Sequence, residues 1–502
     1  MRNRSANGLQ TPDPVRCHGE PAIFRTIANV TANFGLALAG AMLVPALIDL
    51  ADENPDWKVF VGSSALIGMV CAMIAVATRE EKPRFTQRLG FLVTTSVWIF
   101  GATVGAIPLY VSSVNLTYAG AFFESMSGLT TTGSTVISGL DALPRGILMW
   151  RSLLQWLGGI GIIGMALLIL PSLRAGGMAL FHMESSDKSD KVLPRINQLT
   201  GGLVAAYTAL TLTCAIVYTA LGMTFFDAVN HAMTTLSTGG YSTHDASMGY
   251  FDDNRILAAS TLFMILGSLP FVVYIRAFLP RRFHLWRDPQ IKLFLLICLV
   301  LSLAIAISRR VINGTDFGEA LISSTFNLVS IITTTGYASE DFTLWSNAAI
   351  GLFFLATFLG GCAGSTAGGI KANRLYILYH LVETNFRRLV RPHAVIRLRY
   401  GNSEIAPEGI QTVTIFFFLF FGTLLMGTVL LSMFGLDLIT AFSGTLTALA
   451  NVGPGFGQII GPAGNFASLP DGALWILSIT MLLGRLELVT VLILLFPRTW
   501  TE

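Results

Sequence analysis

At 502 residues, 53% of them hydrophobic and only 12% charged, the chain carries about half the charged share of a soluble domain, roughly 25%. A water-soluble globular protein is excluded, and so is a disordered chain. The net charge of +3 gives no reason to expect a nucleic-acid partner; the placement of the charges carries the information.

The chain opens on a polar stretch, 1–23, expected to be a cytoplasmic tail. The apolar stretch after it is too long for the core of a cleavable signal. Ten nearly charge-free stretches follow, at about 27–48, 59–77, 91–111, 152–173, 199–223, 256–275, 291–308, 347–370, 409–434 and 472–496. About 20 apolar residues suffice for a helix to cross a bilayer, so each reads as a span. Lys and Arg gather in alternate loops: Arg2, Arg4, Arg16 and Arg25; Arg79, Lys82, Arg84 and Arg88; Arg174, Lys188, Lys191 and Arg195. The same side takes Arg276, Arg281, Arg282 and Arg287, then Arg387, Arg388, Arg391, Arg397 and Arg399, and finally Arg498. The excess of positive charge assigns that side to the cytoplasm, with both termini. Arg309 and Arg310 are exceptions on the outer side. Cys17, Cys71, Cys214, Cys298 and Cys362 show no paired spacing, which favours packing over metal binding or disulfides.

A motif recurs between the spans. "SGLTTTGST" at 127–135 is followed by "TTLSTGGYS" at 234–242, "IITTTGYAS" at 331–339 and "LANVGPGFG" at 449–457. Aligned on Gly133, Gly239, Gly336 and Gly453, the copies lie 106, 97 and 117 residues apart, a period that marks repeated units. The chain therefore divides into the tail (1–23), two extra spans (24–80) and four span–loop–span repeats at 81–175, 176–285, 286–390 and 391–502. A mixed polar and apolar segment too short to span precedes each glycine. Thr224, Asp316 and Asp437 stand where such segments begin, as helix N-caps do, and Asp316 with Glu319 has the spacing of a capping box. These segments read as half-helices that re-enter the membrane.

Irregular backbone at membrane depth is tolerated only inside protein or along a water-filled cavity. A half-helix ending there points the negative end of its dipole inward, which favours a cation. Extended backbone after it can replace an ion's hydration shell with carbonyl oxygens. A lone Thr–Gly cluster is more often a helix-packing contact; four copies in one setting favour a single pore.

These stretches resemble the Trk/Ktr/HKT superfamily of potassium transporters, and within it the TrkH/TrkG branch. "WRSLLQWLGGIGIIGMALLILP" at 150–171, "GGMALFHMES" at 176–185, "GGCAGSTAGGIKANR" at 360–374 and "LLGRLELVTVLILLFP" at 482–497 add to the resemblance. It implies an all-α polytopic membrane protein with four pore repeats around one pore and two extra N-terminal helices. It also implies potassium uptake through a selectivity filter of Thr131, Thr132, Gly133, Thr238, Gly239, Thr334, Thr335, Gly336, Asn451, Val452 and Gly453. The fourth loop departs from the pattern, with Asn-Val in place of Thr-Thr and Pro454 after the glycine. The family forms homodimers in the bacterial inner membrane and works with a ring of cytoplasmic TrkA-type nucleotide-binding subunits. Their docking is expected on the basic loops at 276–292 and 387–399. This chain has no phosphate-binding motif of its own, so no nucleotide is expected on it.

Five glycines among residues 360–371 would not hold a straight helix, each losing roughly 1 kcal/mol relative to alanine. The resemblance makes this segment a movable intramembrane gate of Gly360, Gly361, Gly364, Ser365, Thr366, Gly368, Gly369 and Lys371; a close-packed kink is the alternative. Arg485 sits mid-span, where a charge is costly and faces a cavity or a partner. It is expected to be an electrostatic barrier below the filter, or else an ion-pair partner of Glu487. Glu124, near the first half-helix, reads equally as a structural acceptor or a cation-attracting group. A solute transporter with broken helices would usually show inverted repeats and midplane acids, and a membrane enzyme would need a catalytic cluster; neither is visible.

Overall fold

The computed structural model describes residues 20–79, 87–168, 192–277, 288–393, 397–401, 403–405 and 407–495. Most of these are helical, and the one sheet among them is a hairpin pairing Arg399–Tyr400 with Ser403–Glu404. Helices Glu20–Ala41 and Leu43–Ala51 form one N-terminal span with a break at Met42. Pro45 causes it, having no N–H to give the carbonyl of Ala41. Trp57–Ala77 packs alongside.

Four helix–half-helix–helix units follow. The first is Gln87–Val111, Tyr118–Leu129 and Arg145–Leu168. The second is Val192–Ala220, Phe225–Leu236 and Asn254–Gly267. Pro289–Ser308, Phe317–Ile332 and Asn347–Phe358 make the third. Pro407–Ser432, Leu438–Ala450 and Asp471–Arg485 make the fourth. The basic loops expected to face a regulatory subunit fall partly outside the described residues, as does most of the N-terminal tail.

Among the described residues seven helices are long and apolar enough to cross a bilayer, or eight if Asp471–Arg485 and Val489–Leu495 are joined across their 107° bend. Ten uninterrupted spans are therefore not what forms. The stretches 256–275, 347–370 and 472–496 are nearly charge-free, yet each helix stops partway. The first ends at Gly267, three residues before Pro270. The second ends at Phe358, where the glycine-rich segment begins. The third ends at Arg485, after which Glu487 and Leu488 take φ of 59° and 58°, a region costly for residues with a Cβ.

The exterior is apolar: Met73, Ile216, Leu299, Phe418 and Met433 are exposed. Hydroxyls and amides of the half-helices and their loops lie inside, among them Thr131, Thr235, Thr334, Thr447 and Asn451. This distribution suits a multi-pass protein whose outer surface meets lipid. Arg309, an exception to the charge pattern read from the sequence, is buried and paired. Its guanidinium lies 3.0 and 3.2 Å from the Glu340 carboxylate oxygens and 3.9 Å over Trp345.

Candidate cation pathway

Each half-helix starts at a side-chain cap. Thr117 accepts from the Gly120 N–H at 3.1 Å and Thr224 from Asp227 at 3.1 Å. Asp316 accepts from Gly318 at 2.9 Å, and Asp437 from Ile439 and Thr440 at 3.1 Å each. Such caps are worth about 1 kcal/mol apiece and fix where the segment begins, hence where it ends.

The ends share one geometry. Thr131, Thr238, Thr334 and Asn451 all adopt left-handed backbone, with φ of 51°, 52°, 57° and 56°. The next residue donates its N–H five positions back: Thr132 to Ser127 (2.8 Å), Gly239 to Thr234 (2.9 Å), Thr335 to Ser330 (2.8 Å) and Val452 to Thr447 (3.0 Å). A glycine with positive φ then follows at Gly133, Gly240, Gly336 and Gly453. The register of the second repeat thus differs from the sequence alignment by one residue. Gly240, not Gly239, is the counterpart of the other three glycines, and Gly239 corresponds to Thr132, Thr335 and Val452.

The four glycines close a ring. A Cβ on Gly133 would strike the carbonyl oxygen of Gly239, one on Gly240 that of Thr335, and one on Gly336 that of Val452. On Gly453 it would lie 2.9 Å from the carbonyl oxygen of Thr132. Each loop abuts the next in chain order, and the fourth returns to the first. Glycine is required because backbone meets backbone with no room for a side chain. The irregular fourth loop still fits: asparagine tolerates the left-handed region better than most residues. Its amide donates to Thr132 Oγ1 and to the Met481 carbonyl, both at 3.0 Å. Ser134 Oγ donates to the Gly453 carbonyl at 2.8 Å. Among the described residues Thr131 Oγ1, Thr447 Oγ1 and Asn451 Oδ1 are buried with no hydrogen-bond partner.

A second set of side chains straps each loop to its half-helix. Seven residues before the left-handed position stand Glu124, His231 and Asn327; the fourth repeat uses Ser443, eight before. Glu124 accepts from the Val136 N–H at 2.9 Å and from Thr135 Oγ1 at 3.0 Å, while Arg151 Nε holds it at 2.8 Å. His231 Nε2 lies 3.0 Å from Ser242 Oγ. Asn327 Oδ1 accepts from the Ser339 N–H at 3.1 Å, and Ser443 Oγ from the Phe456 N–H at 3.0 Å. Glu124 is therefore a structural acceptor within a fully buried ion pair. Gln155 adds a further clamp, donating to the Gly239 carbonyl at 2.6 Å and accepting from the Tyr241 N–H at 3.1 Å.

The glycine-rich segment packs against three half-helix ends. Thr366 Oγ1 lies 3.1 Å from the Leu236 carbonyl, 3.0 Å from that of Gly267 and 3.2 Å from Thr238 Oγ1. The Gly368 N–H donates to Thr334 Oγ1 at 2.6 Å, and the Gly369 N–H to the Ala450 carbonyl at 2.8 Å. Gly364 and Gly369 have positive φ, and a Cβ on Gly360 or Gly368 would strike backbone oxygen. Ser365 Oγ donates to the Cys362 carbonyl at 2.6 Å, Gly361 accepts from the Ala372 N–H at 3.1 Å, and Lys371 Nζ donates to the Ala367 carbonyl.

Arg485 is buried, and its Nη2 donates to the Thr366 carbonyl at 2.6 Å; its Nε and Nη1 have no partner among the described residues. Glu487 does not pair with it. Glu487 binds Arg374 at 2.6 Å instead, and the Arg374 guanidinium stacks 3.8 Å over Phe416. The turn at Glu487 and Leu488 carries that carboxylate away from Arg485. Of the expected site residues, the structure brings all eleven loop positions into one ring region and links Arg485 to it through Thr366. Of the straps, the sequence singles out Glu124 alone and leaves its role open; His231, Asn327 and Ser443 escape sequence reading, although His231 and Asn327 share the offset of Glu124 from the motif.

A helical multi-pass chain whose four like loops meet in one ring has the build of a membrane transport protein. The chain belongs to the TrkH family of cation transport proteins, whose model matches residues 58–499. It is 43% identical to the Trk system potassium uptake protein TrkI of Halomonas elongata, over 95% of this chain and 97% of the relative. It is 35% identical to TrkH of Escherichia coli K12, over 95% of this chain and 100% of the relative. The crystal structure of the potassium transporter TrkH from Vibrio parahaemolyticus superposes with a TM-score of 0.88 at 35% identity, covering 95% of this chain and 99% of that one.

Proposed function

We propose that the chain takes up potassium across the bacterial inner membrane through one pore per chain, with both termini in the cytoplasm. The observation that carries this reading is ring closure: four like-built loops meet glycine to carbonyl in chain order. Potassium sheds its water among the backbone and hydroxyl oxygens of 131–133, 238–240, 334–336 and 451–453. The half-helix C-termini favour its charge from around the ring, each by a partial negative charge of about half an electron. Selection against sodium follows because a ring held by straps and close glycine contacts resists shrinking onto a smaller ion.

Residues 360–371 act as the gate. In the arrangement described above they lie against the second, third and fourth half-helix ends, with Arg485 fastened to Thr366. A buried guanidinium with two unpartnered nitrogens repels a dehydrated cation nearby, so transport requires loop and arginine to move aside together. A TrkA-type nucleotide-binding partner acting from the cytoplasm supplies that movement, and the working unit is a homodimer. Expression in a strain lacking its own potassium uptake systems, with rubidium uptake in liposomes, tests the reading. Growth at low potassium and saturable rubidium uptake are expected; a well-expressed protein giving neither would refute it.

A further inference from the structure

We infer that Tyr241 and Tyr337 are positioning residues that set how far the ring can contract, and so its discrimination against sodium, by bracing two loops to the preceding repeat. The inference rests on the filter reading above. Each tyrosine directly follows a ring glycine, Gly240 or Gly336. The Tyr241 hydroxyl donates to the backbone carbonyl of Glu124 at 2.8 Å and reaches that of Ser134 at 3.3 Å. One repeat further on, the Tyr337 hydroxyl donates to the backbone carbonyl of His231 at 3.2 Å. It also bonds Thr234 Oγ1 and lies 3.3 Å from Thr235 Oγ1.

Glu124 and His231 occupy the same place in their half-helices, seven residues before the left-handed threonine. The same bond is thus made twice, from loop two to half-helix one and from loop three to half-helix two. Both rings are buried, and the Arg151 guanidinium lies 4.0 Å over that of Tyr241. A buried aromatic ring has few torsions to yield, so each brace transmits position rather than merely filling space.

The other two junctions lack this brace. The fourth loop has Pro454 at the equivalent place, which offers no hydroxyl and sits against Gly336. The first has Ser134, whose hydroxyl bonds the Gly453 carbonyl inside the ring and not a half-helix. The ring therefore has two junctions braced by a tyrosine, one to two and two to three, while the fourth-to-first junction is tied by the Asn451 amide on Thr132 Oγ1 and the Ser134 hydroxyl on the Gly453 carbonyl. At these two braced junctions the tyrosines add to the straps and glycine contacts in resisting contraction around a small ion.

Removing only the hydroxyl tests this. Tyr241→Phe, Tyr337→Phe and the double variant are reconstituted in liposomes, and rubidium, potassium and sodium uptake are measured beside thermal unfolding. Tyr400→Phe is the control: its hydroxyl donates to Asp288 at 2.7 Å and spans no ring junction. Potassium-over-sodium discrimination should fall about fivefold in each single variant, the scale of one neutral hydrogen bond, through increased sodium uptake. It should fall further in the double variant and not in Tyr400→Phe. Thr234→Val, which keeps the tyrosine ring in place, should reproduce part of the Tyr337→Phe effect and covers the case in which a phenylalanine variant does not fold. Folded variants with unchanged discrimination would overturn the inference and leave the filter reading standing. A wild type that takes up no potassium would sink the filter reading itself.

Discussion

Replacing Gly240 by alanine is the sharpest probe of the ring's register. Its φ of 77° is left-handed, which costs a residue with a Cβ roughly 1–2 kcal/mol. The new methyl would also strike the Thr335 carbonyl oxygen, and overpacking against backbone costs about 1–3 kcal/mol more. Together, about 2–5 kcal/mol falls on the junction between the second and third loops, enough to displace a ring that in the proposed function matches an ion closely. Gly239→Ala is milder: its φ is not left-handed, and the atoms nearest its Cβ would be those of the Gln155 side chain and not backbone. Yielding there weakens two hydrogen bonds, at about 1 kcal/mol each. Rubidium uptake into liposomes and thermal unfolding should both show Gly240→Ala as the more damaging change. Near-normal uptake by Gly240→Ala beside an inactive Gly239→Ala would refute the reasoning and restore the alignment on Gly239.

Arg485→Ala should raise basal cation flux severalfold in liposomes, because it removes a buried charge and the tie to Thr366; unchanged or lower flux would point to a purely structural role. Thr366→Val deletes the hydroxyl that faces Leu236, Gly267 and Thr238 and should raise basal flux in the same assay. Glu124→Gln leaves Arg151 buried without its carboxylate, which should cost about 3–5 kcal/mol of stability, read as earlier thermal unfolding of the purified protein. Glu124→Gln with Arg151→Met should lose less than the two single changes added together.

Much of this architecture is legible in the sequence because hydropathy and caps are local signals. Thr224, Asp316 and Asp437 mark half-helix starts, and the Thr–Gly clusters mark their ends. The second repeat misleads because it offers two adjacent glycines; only the five-residue-back hydrogen bond of Gly239 decides which one is left-handed. The breaks after Gly267 and Arg485 are hidden because, Pro270 and Glu487 apart, the residues beyond them are largely apolar, so hydropathy runs on while the backbone turns. The straps are hidden for a different reason. Glu124, His231, Asn327 and Ser443 do one job with four side chains, so similarity between repeats does not reveal them. Glu487 lies two residues from Arg485 but binds Arg374, 113 positions away, a choice set by the turn between them and not by proximity in the chain.

The proposed function puts a dehydrated monovalent cation at the centre of the ring that the four loops close. A structure of the purified protein with thallium, located by its anomalous signal, examines this directly. Thallium density enclosed by residues 131–133, 238–240, 334–336 and 451–453 is the expected result. Density at another place in a protein that still transports potassium would contradict it.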